Sequence, residues 1–321
     1  MDLPHIAAVS FTCREAPALA RWYADQFGFR IGEARQHHAD AYAALLGLPG
    51  AHLLRQPLHL GEETLELLQV LEPGPGGRPG RPVRADSRSN DLWFQHICLV
   101  VPELRAVAEG IEAQIRAGAL TAISSAPQRL PDWNAAAAGI VAFKFRDPDG
   151  HPLELLQFPP DKGDPRWHRP GGAAVLGIDH SAIGSADPQR TARFYGELLG
   201  LASGGGGTNS GREQDHLDGL EGTEVVIGAW RARQGMGIES LAYRAPAGGR
   251  PQPADFGAQD LDHWLLRLEV RDLGAIAAAV AASGGRLLSP GILPLEGCLP
   301  GWSHALQVAD PDGHRLQLVS R

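Results

Sequence analysis

The sequence is short of cysteine, of long apolar runs and of clustered positive charge, and each shortage narrows the possibilities. Of 321 residues, 3 are cysteine: Cys13, Cys98 and Cys298. An odd, widely separated set with no CxxC pair excludes a disulfide scaffold, a thiolate zinc site or a CxxC redox centre, and fits a reducing compartment. No stretch approaches the roughly 20 apolar residues that a membrane span needs. The start, Met1-Asp2-Leu3-Pro4-His5, lacks the basic then apolar layout of a signal peptide. The expectation is a cytoplasmic protein with no membrane partner. No run of Lys and Arg is long enough to track a phosphate backbone, and the formal net charge is -8, so no nucleic-acid partner is expected. What is present is 43% hydrophobic residues over a length suited to two ordinary domains, as monomer or homodimer.

Periodicity along the chain shows a repeat. Residues 5–13 read as a strand and Glu15 to Gln26 as an amphipathic helix, with Leu19, Trp22, Tyr23 and Phe27 on one face and Gly28 as its stop. Strands follow at Leu53 to Leu60 and Thr64 to Leu71, split by a Gly61-Glu62 turn, before a loop rich in Pro, Gly and Arg from Pro73 to Arg84. The pattern then restarts: strand Gln95 to Val101, helix Glu103 to Ala117, strands Gly139 to Arg146 and His151 to Phe158. Asp147-Pro148-Asp149-Gly150 joins the last two with the chemistry of a type I turn.

The second half repeats the first. Trp22-Tyr23-Ala24-Asp25-Gln26-Phe27-Gly28-Phe29 matches Phe194-Tyr195-Gly196-Glu197-Leu198-Leu199-Gly200-Leu201, with Tyr23 and Tyr195 172 positions apart. Gly47-Leu48-Pro49-Gly50 matches Gly219-Leu220-Glu221-Gly222 in the same register, Asp91-Leu92 matches Asp260-Leu261, and Asp147-Pro148-Asp149-Gly150 matches Asp310-Pro311-Asp312-Gly313. Duplication at this length means two copies of one domain, each of two modules. The predicted division is residues 1–158, a Pro/Gly-rich linker at 159–174, and residues 175–321.

With the FYxxxLG helix, the His-bearing strands and the DPDGxxxEL hairpin in register, the chain resembles the vicinal oxygen chelate superfamily. That group includes glyoxalase I, extradiol dioxygenases, methylmalonyl-CoA epimerase and bleomycin-resistance proteins. The resemblance covers nearly the whole chain. It implies an α+β fold of four βαβββ modules, forming two tandem glyoxalase-like domains with incomplete barrels. It also implies one ligand position on the first strand and one on the last strand of each module. Carried onto this sequence, those positions are Ala8 and Glu66, His96 and Glu154, His180 and Glu239, and Leu265 and Gln317. If modules pair in sequence order, neither cavity is complete. If modules two and three pair, as the exchanged modules of glyoxalase I do, one cavity collects His96, Glu154, His180 and Glu239. That is the more economical arrangement, with a decayed pseudo-site from modules one and four.

Two imidazoles and two carboxylates neutralise one divalent ion (Fe, Mn, Ni, Co or Zn) and leave open positions for two vicinal substrate oxygens. A metal so placed polarises a carbonyl or stabilises an enediolate, and Glu154 or Glu239, leaving the shell, can act as general base. The expected activity on a small oxygenated substrate is therefore that of a glyoxalase-type lyase or isomerase. The alternatives are an Fe(II) extradiol-type dioxygenase, since two His and one carboxylate match that ligand count, or a non-catalytic small-molecule binding protein.

Several other residues stand beside the ligand set. Cys98 shares a strand face with His96, and Trp133, Asn134, Gln214 and His216 sit in segments that could cover a cavity mouth, so these five form the candidate substrate pocket. Glu66 reads as a polar remnant, a substrate contact or a salt-bridged core group. His263 lies on the same strand face as Leu265 and could line the pseudo-site with Glu66 and Gln317. His5 falls on the opposite face of its strand from the ligand position. Turn formation accounts for Asp147, Asp149, Asp310 and Asp312. Gly204 to Gly207 has no following P-loop Lys and reads as a flexible hairpin tip.

Overall fold

The computed structural model describes residues 4–169, 171–233 and 235–321; residues 1–3, 170 and 234 of the predicted division lie outside this range. Four βαβββ modules follow one another. Their first strands are His5–Thr12, Gln95–Val100, Gly177–Gly184 and Trp264–Glu269, and their last are Glu63–Glu72, Pro152–Gln157, Gly237–Ala245 and Arg315–Ser320. In each module the first strand runs parallel to the last. The helix supplies the crossover that a parallel pair requires.

The modules do not pair in sequence order. Strand Gly177–Gly184 lies antiparallel to Gln95–Val100, joining modules two and three into a nine-stranded sheet. His5–Thr12 lies antiparallel to Trp264–Glu269, joining modules one and four into a ten-stranded sheet. Each sheet thus takes one module from each half of the sequence, and neither closes into a barrel. Two loops clasp these pairings: Arg250 holds Asp91 at 2.7 Å in one sheet, and Arg81 holds Asp260 at 2.9 Å in the other. These are the repeated Asp-Leu positions.

The helices behave as their sequences dictate. Ala16–Phe27 starts with a Pro in its first turn and stops at Gly28, whose φ of 75° is the left-handed conformation that glycine adopts without a Cβ clash. Its buried face, Leu19, Ala20, Tyr23 and Phe27, enters an apolar core that draws on all four modules. The two repeated motifs meet there. Tyr23 donates to Asp147 at 3.1 Å, and Tyr195 donates to Asp310 at 3.1 Å. The helix tyrosine of each odd module therefore ties to the turn aspartate of the next. The same aspartates accept from the backbone N–H groups of Asp149 and His151, and of Asp312 and His314, which fixes both turns.

Some local expectations change. The second FYxxxLG segment is a short α turn, Pro188–Thr191, continued as a π-helical stretch at Ala192–Leu198. Gly196 sits there against the Trp230 ring, where a Cβ would be 3.2 Å from it. Gly204 to Gly207 is not a hairpin tip. It belongs to an edge strand, Ala202–Ser210, paired with Glu224–Arg231 through an irregular register. At Gly206 a Cβ would collide with the Ile227 carbonyl, so the close approach of the two backbones requires glycine. Among the described residues no helix is long and apolar enough to cross a membrane.

Candidate metal centre

Register alone assembles the site. Along one row across the nine-stranded sheet lie Lys144, Glu154, Cys98 and His180; along the neighbouring row lie His96, Ala182 and Glu239. Side chains two apart on a strand share a face, so His96 and Cys98 point the same way. Adjacent rows then bring His96, Glu154, His180 and Glu239 together above two small residues, Cys98 and Ala182. A bulge between Ile178 and His180 re-aims the start of this strand.

The ligand atoms of His96, Glu154 and His180 lie within 4.8 Å of one another, and all three residues are buried. His96 Nε2 is 3.1 Å from Glu154 Oε2, and His180 Nε2 is 4.0 Å from the same oxygen and 3.5 Å from Glu239 Oε2. Glu239 keeps 23% of its side chain exposed against 7% for Glu154, so it faces the cavity more openly. Among the described residues His180 Nε2 makes no hydrogen bond. A buried imidazole nitrogen left without a partner and aimed at two carboxylates is what a cation ligand needs. The other nitrogen, Nδ1, lies 2.8 Å from Asp179 Oδ2, and Asp179 also accepts from the Trp167 indole at 3.0 Å. A carboxylate behind an imidazole fixes its tautomer and orientation for metal binding. These residues therefore fit a divalent ion.

The electrostatics follow from burial and neighbours. Burial alone would lower the His180 imidazole, but Glu239 and Asp179 outweigh it and hold it up at about 9. Burial pushes His96 down to about 4 despite its bond to Glu154. For Glu154 burial is overcome by the Lys144 ammonium and by His96, which hold the carboxyl down at about 2. Glu239 is pushed up, by burial first. Lys144 is itself buried, with Nζ 2.7 Å from Asp218, which also accepts from Gln214 at 2.8 Å and Tyr243 at 3.0 Å.

Above the site lies a cavity of about 350 Å³, walled by Leu130, Ile140, Ile227 and Leu241 among others. Of the five candidate pocket residues, Gln214 lines it, and Asn134 stands behind it, donating to the lining residue Asn209 at 2.5 Å. Cys98 is fully buried beneath the His96 and His180 rows and does not line the cavity, and burial pushes its thiol well up. Trp133 is 63% exposed and His216 sits in the last turn of Arg212–Asp218; neither lines the cavity. Sequence reasoning misses Asp179, Lys144 and Asp218. Lys144 could have been found by counting back from the Asp147 turn, which sets it opposite Glu154. Asp179 could not, because strict alternation points it away from His180's face and only the bulge changes that.

The pseudo-site positions also have clear places. Glu66 is a salt-bridged core group, within 2.8 Å of Arg267 and 2.6 Å of Arg55. His263 stands apart from it, buried with Nδ1 3.1 Å from the Thr12 hydroxyl. His5 faces Glu269 at 3.8 Å, away from the ligand position.

Fold and site together define a class: tandem βαβββ modules, exchanged between two open sheets, with a buried His/carboxylate cluster in one of them. That class is the Glyoxalase/Bleomycin resistance protein/Dioxygenase superfamily, to which the second half belongs by direct match of residues 177–318. The first half carries the same module twice. Glyoxalase I from Zea mays superposes with a TM-score of 0.60 at 14% identity, covering 99% of this chain and 92% of that one. A point mutant of the same maize enzyme gives 0.59 at 15%, with coverage of 99% and 92%. A proposed dioxygenase from Bacillus subtilis subsp. subtilis str. 168 gives 0.55 at 14%, with coverage of 99% and 86%. At such identities the likeness is one of fold. No curated protein sequence matches the chain.

Proposed function

We propose that the protein is a metal-dependent lyase or isomerase of the glyoxalase I type, acting on a small substrate with two vicinal oxygens. The observation that carries this reading is the convergence of His96, Glu154 and His180 within 4.8 Å, with Glu239 beside them but outside the tight trio. His96, His180 and Glu154 would hold one divalent ion, with Asp179 keeping the His180 ring in place. The chemistry such an ion would supply there is polarisation of the substrate oxygens, which makes the neighbouring C–H more acidic. Glu239, the more open carboxylate, would take the proton from the hydroxyl-bearing carbon and return it to the carbonyl carbon, while the hydroxyl proton passes to the former carbonyl oxygen, so that carbonyl and hydroxyl exchange places without net oxidation. The apolar walls around Leu130 and Leu241 limit competing water.

A second reading has its own support. The trio is two imidazoles and one carboxylate, the ligand count of non-haem Fe(II) oxygenases. One pair of measurements separates the two. Metal-loaded protein incubated with a 2-hydroxy aldehyde or ketone in D2O should place deuterium at the carbon next to the carbonyl, and Glu239→Gln should stop it while metal content persists. Oxygen uptake with a catechol by Fe(II)-loaded protein, with no such exchange, replaces the first reading with the second.

A further inference from the structure

The metal cavity does not end at its mouth. It shares Gly163 and Arg231 with a neighbouring groove of about 540 Å³ that also carries Arg166, Arg169 and Arg233. Two acidic residues, Glu62 and Asp164, line this groove, and both face Arg166, at 3.8 and 3.9 Å. Arg166 is further committed to Glu63 at 2.6 Å and stacks over the Trp167 ring. Arg169, Arg231 and Arg233 form no ion pair among the described residues. The groove therefore holds three guanidinium groups with no carboxylate bonded to them.

Arg231 is the pivot. It belongs to both spaces, its charge acts on Asp179 across the cavity without an ion-pair contact, and glycine backbone makes room for it. A Cβ at Gly204 would lie 3.0 Å from its Cγ and Nε, and one at Gly237 would lie 3.7 Å from its outer nitrogen. Lys162, from the linker and 3.9 Å from Asp161, joins Arg231 and Lys144 in the cavity lining. The combined space thus has Glu154, Glu239, Asp179 and Lys144 at its inner end, apolar walls between, and arginines at its outer end.

We infer that the substrate is an anion, with its vicinal oxygens at the His96–Glu154–His180 end and a carboxylate or phosphate tail over Arg231, reaching Arg169 and Arg233. Clustered guanidinium groups repel one another until an oxyanion bridges them, and Arg meets carboxylate or phosphate through paired N–H donors. A neutral substrate would leave that half of the space unused. This deepens the proposed function and rests on it for the inner end alone.

The test uses two chelating probes, acetohydroxamate and the hydroxamate of succinic acid, which adds a carboxylate tail. Each is titrated calorimetrically into Ni²⁺-loaded wild type, Arg231→Gln and Arg233→Gln. The tailed probe should bind wild type about tenfold or more tightly than acetohydroxamate. Arg231→Gln should remove most of that advantage while leaving acetohydroxamate affinity unchanged. Equal affinities in wild type, or an advantage that survives both substitutions, overturns the inference. Failure of acetohydroxamate to bind at all counts against the chelation reading instead. Inorganic phosphate titrated into metal-free protein then decides the groove separately: binding weakened by Arg231→Gln supports it, and no binding overturns it.

Discussion

The two sheets hold the same site twice, filled in opposite ways. In the nine-stranded sheet the rows read Glu154, Cys98, His180 and His96, Ala182, Glu239. In the ten-stranded sheet the matching rows read Gln317, Arg267, Ala8 and Leu265, Ser10, Glu66, with a bulge at the matching place. Both histidines are gone from the second set, and the floor residue Cys98 is replaced by Arg267. The guanidinium of Arg267 rises into the space between the carboxyl-type positions, donating at 2.8 Å to each oxygen of Glu66 and at 2.6 Å to Gln317. One sheet thus presents a His/carboxylate cluster that fits a cation from solution, while the other carries its cation on a side chain. A buried Glu demands a counter-charge in either case. A chain that loses its metal ligands but keeps the glutamate must supply that charge itself.

The contrast is broken most sharply at the ligands. His96→Ala or His180→Ala should abolish metal retention, measured as metal per chain after dialysis, whereas Glu66→Ala should leave it untouched. Metal lost with Glu66→Ala and kept with His180→Ala would reverse the assignment of the two sites. The opposite asymmetry is expected for stability. Arg267→Met leaves Glu66 buried with Arg55 as its remaining cation, and should cost about 3 kcal/mol in urea unfolding. Burial would raise the Glu66 carboxyl, but Arg267 and then Arg55 hold it far below the ordinary carboxylate range. A depressed value means stability that is present above the unfolded carboxyl's pKa and lost as pH falls through the folded one. The gap between wild type and Arg267→Met should therefore narrow below about pH 4.

Much of this was legible in the sequence, and the remainder was hidden for identifiable reasons. Strand periodicity, the Gly28 stop and the repeated turn mark the modules, because each is a local signal with a local cause. The proposed quartet His96, Glu154, His180 and Glu239 comes from the family resemblance carried along the repeat register, and the fold brings those four positions onto neighbouring rows of one sheet. Arg267 is invisible in the sequence because its meaning depends on which module faces which, a long-range fact. The edge strand at Ala202–Ser210 reads as a tip because its glycines answer to the backbone of Glu224–Arg231 across the sheet rather than to a turn. Trp133 is a reasonable lid residue by type, yet the loop holding it turns it to solvent.

Asp179 sharpens the contrast at smaller scale. Its carboxylate aims His180, and the ten-stranded sheet has Ala7 before Ala8, with nothing to aim. Asp179→Asn should weaken metal affinity by about 10- to 100-fold without removing any ligand. Competition against a chelator measures it, and an unchanged affinity would reduce Asp179 to a partner of Trp167.

The smallest expected effect concerns what the two sites still share. Tyr23 and Tyr195 bond Asp147 and Asp310 at the same distance, so each ties a module of one sheet to a module of the other. The two bonds are equally buried, and neither touches the metal cavity. Tyr23→Phe and Tyr195→Phe should therefore each cost about 1 to 2 kcal/mol, the value of a buried hydrogen bond to a charged group lost together with its partner's satisfaction. Those aspartates keep their backbone N–H donors, which holds the loss near the lower figure. Equal losses with unchanged metal retention would mean that the duplicated frame survived in both sheets while only the chemistry diverged. A loss confined to one variant would place the divergence in the frame as well.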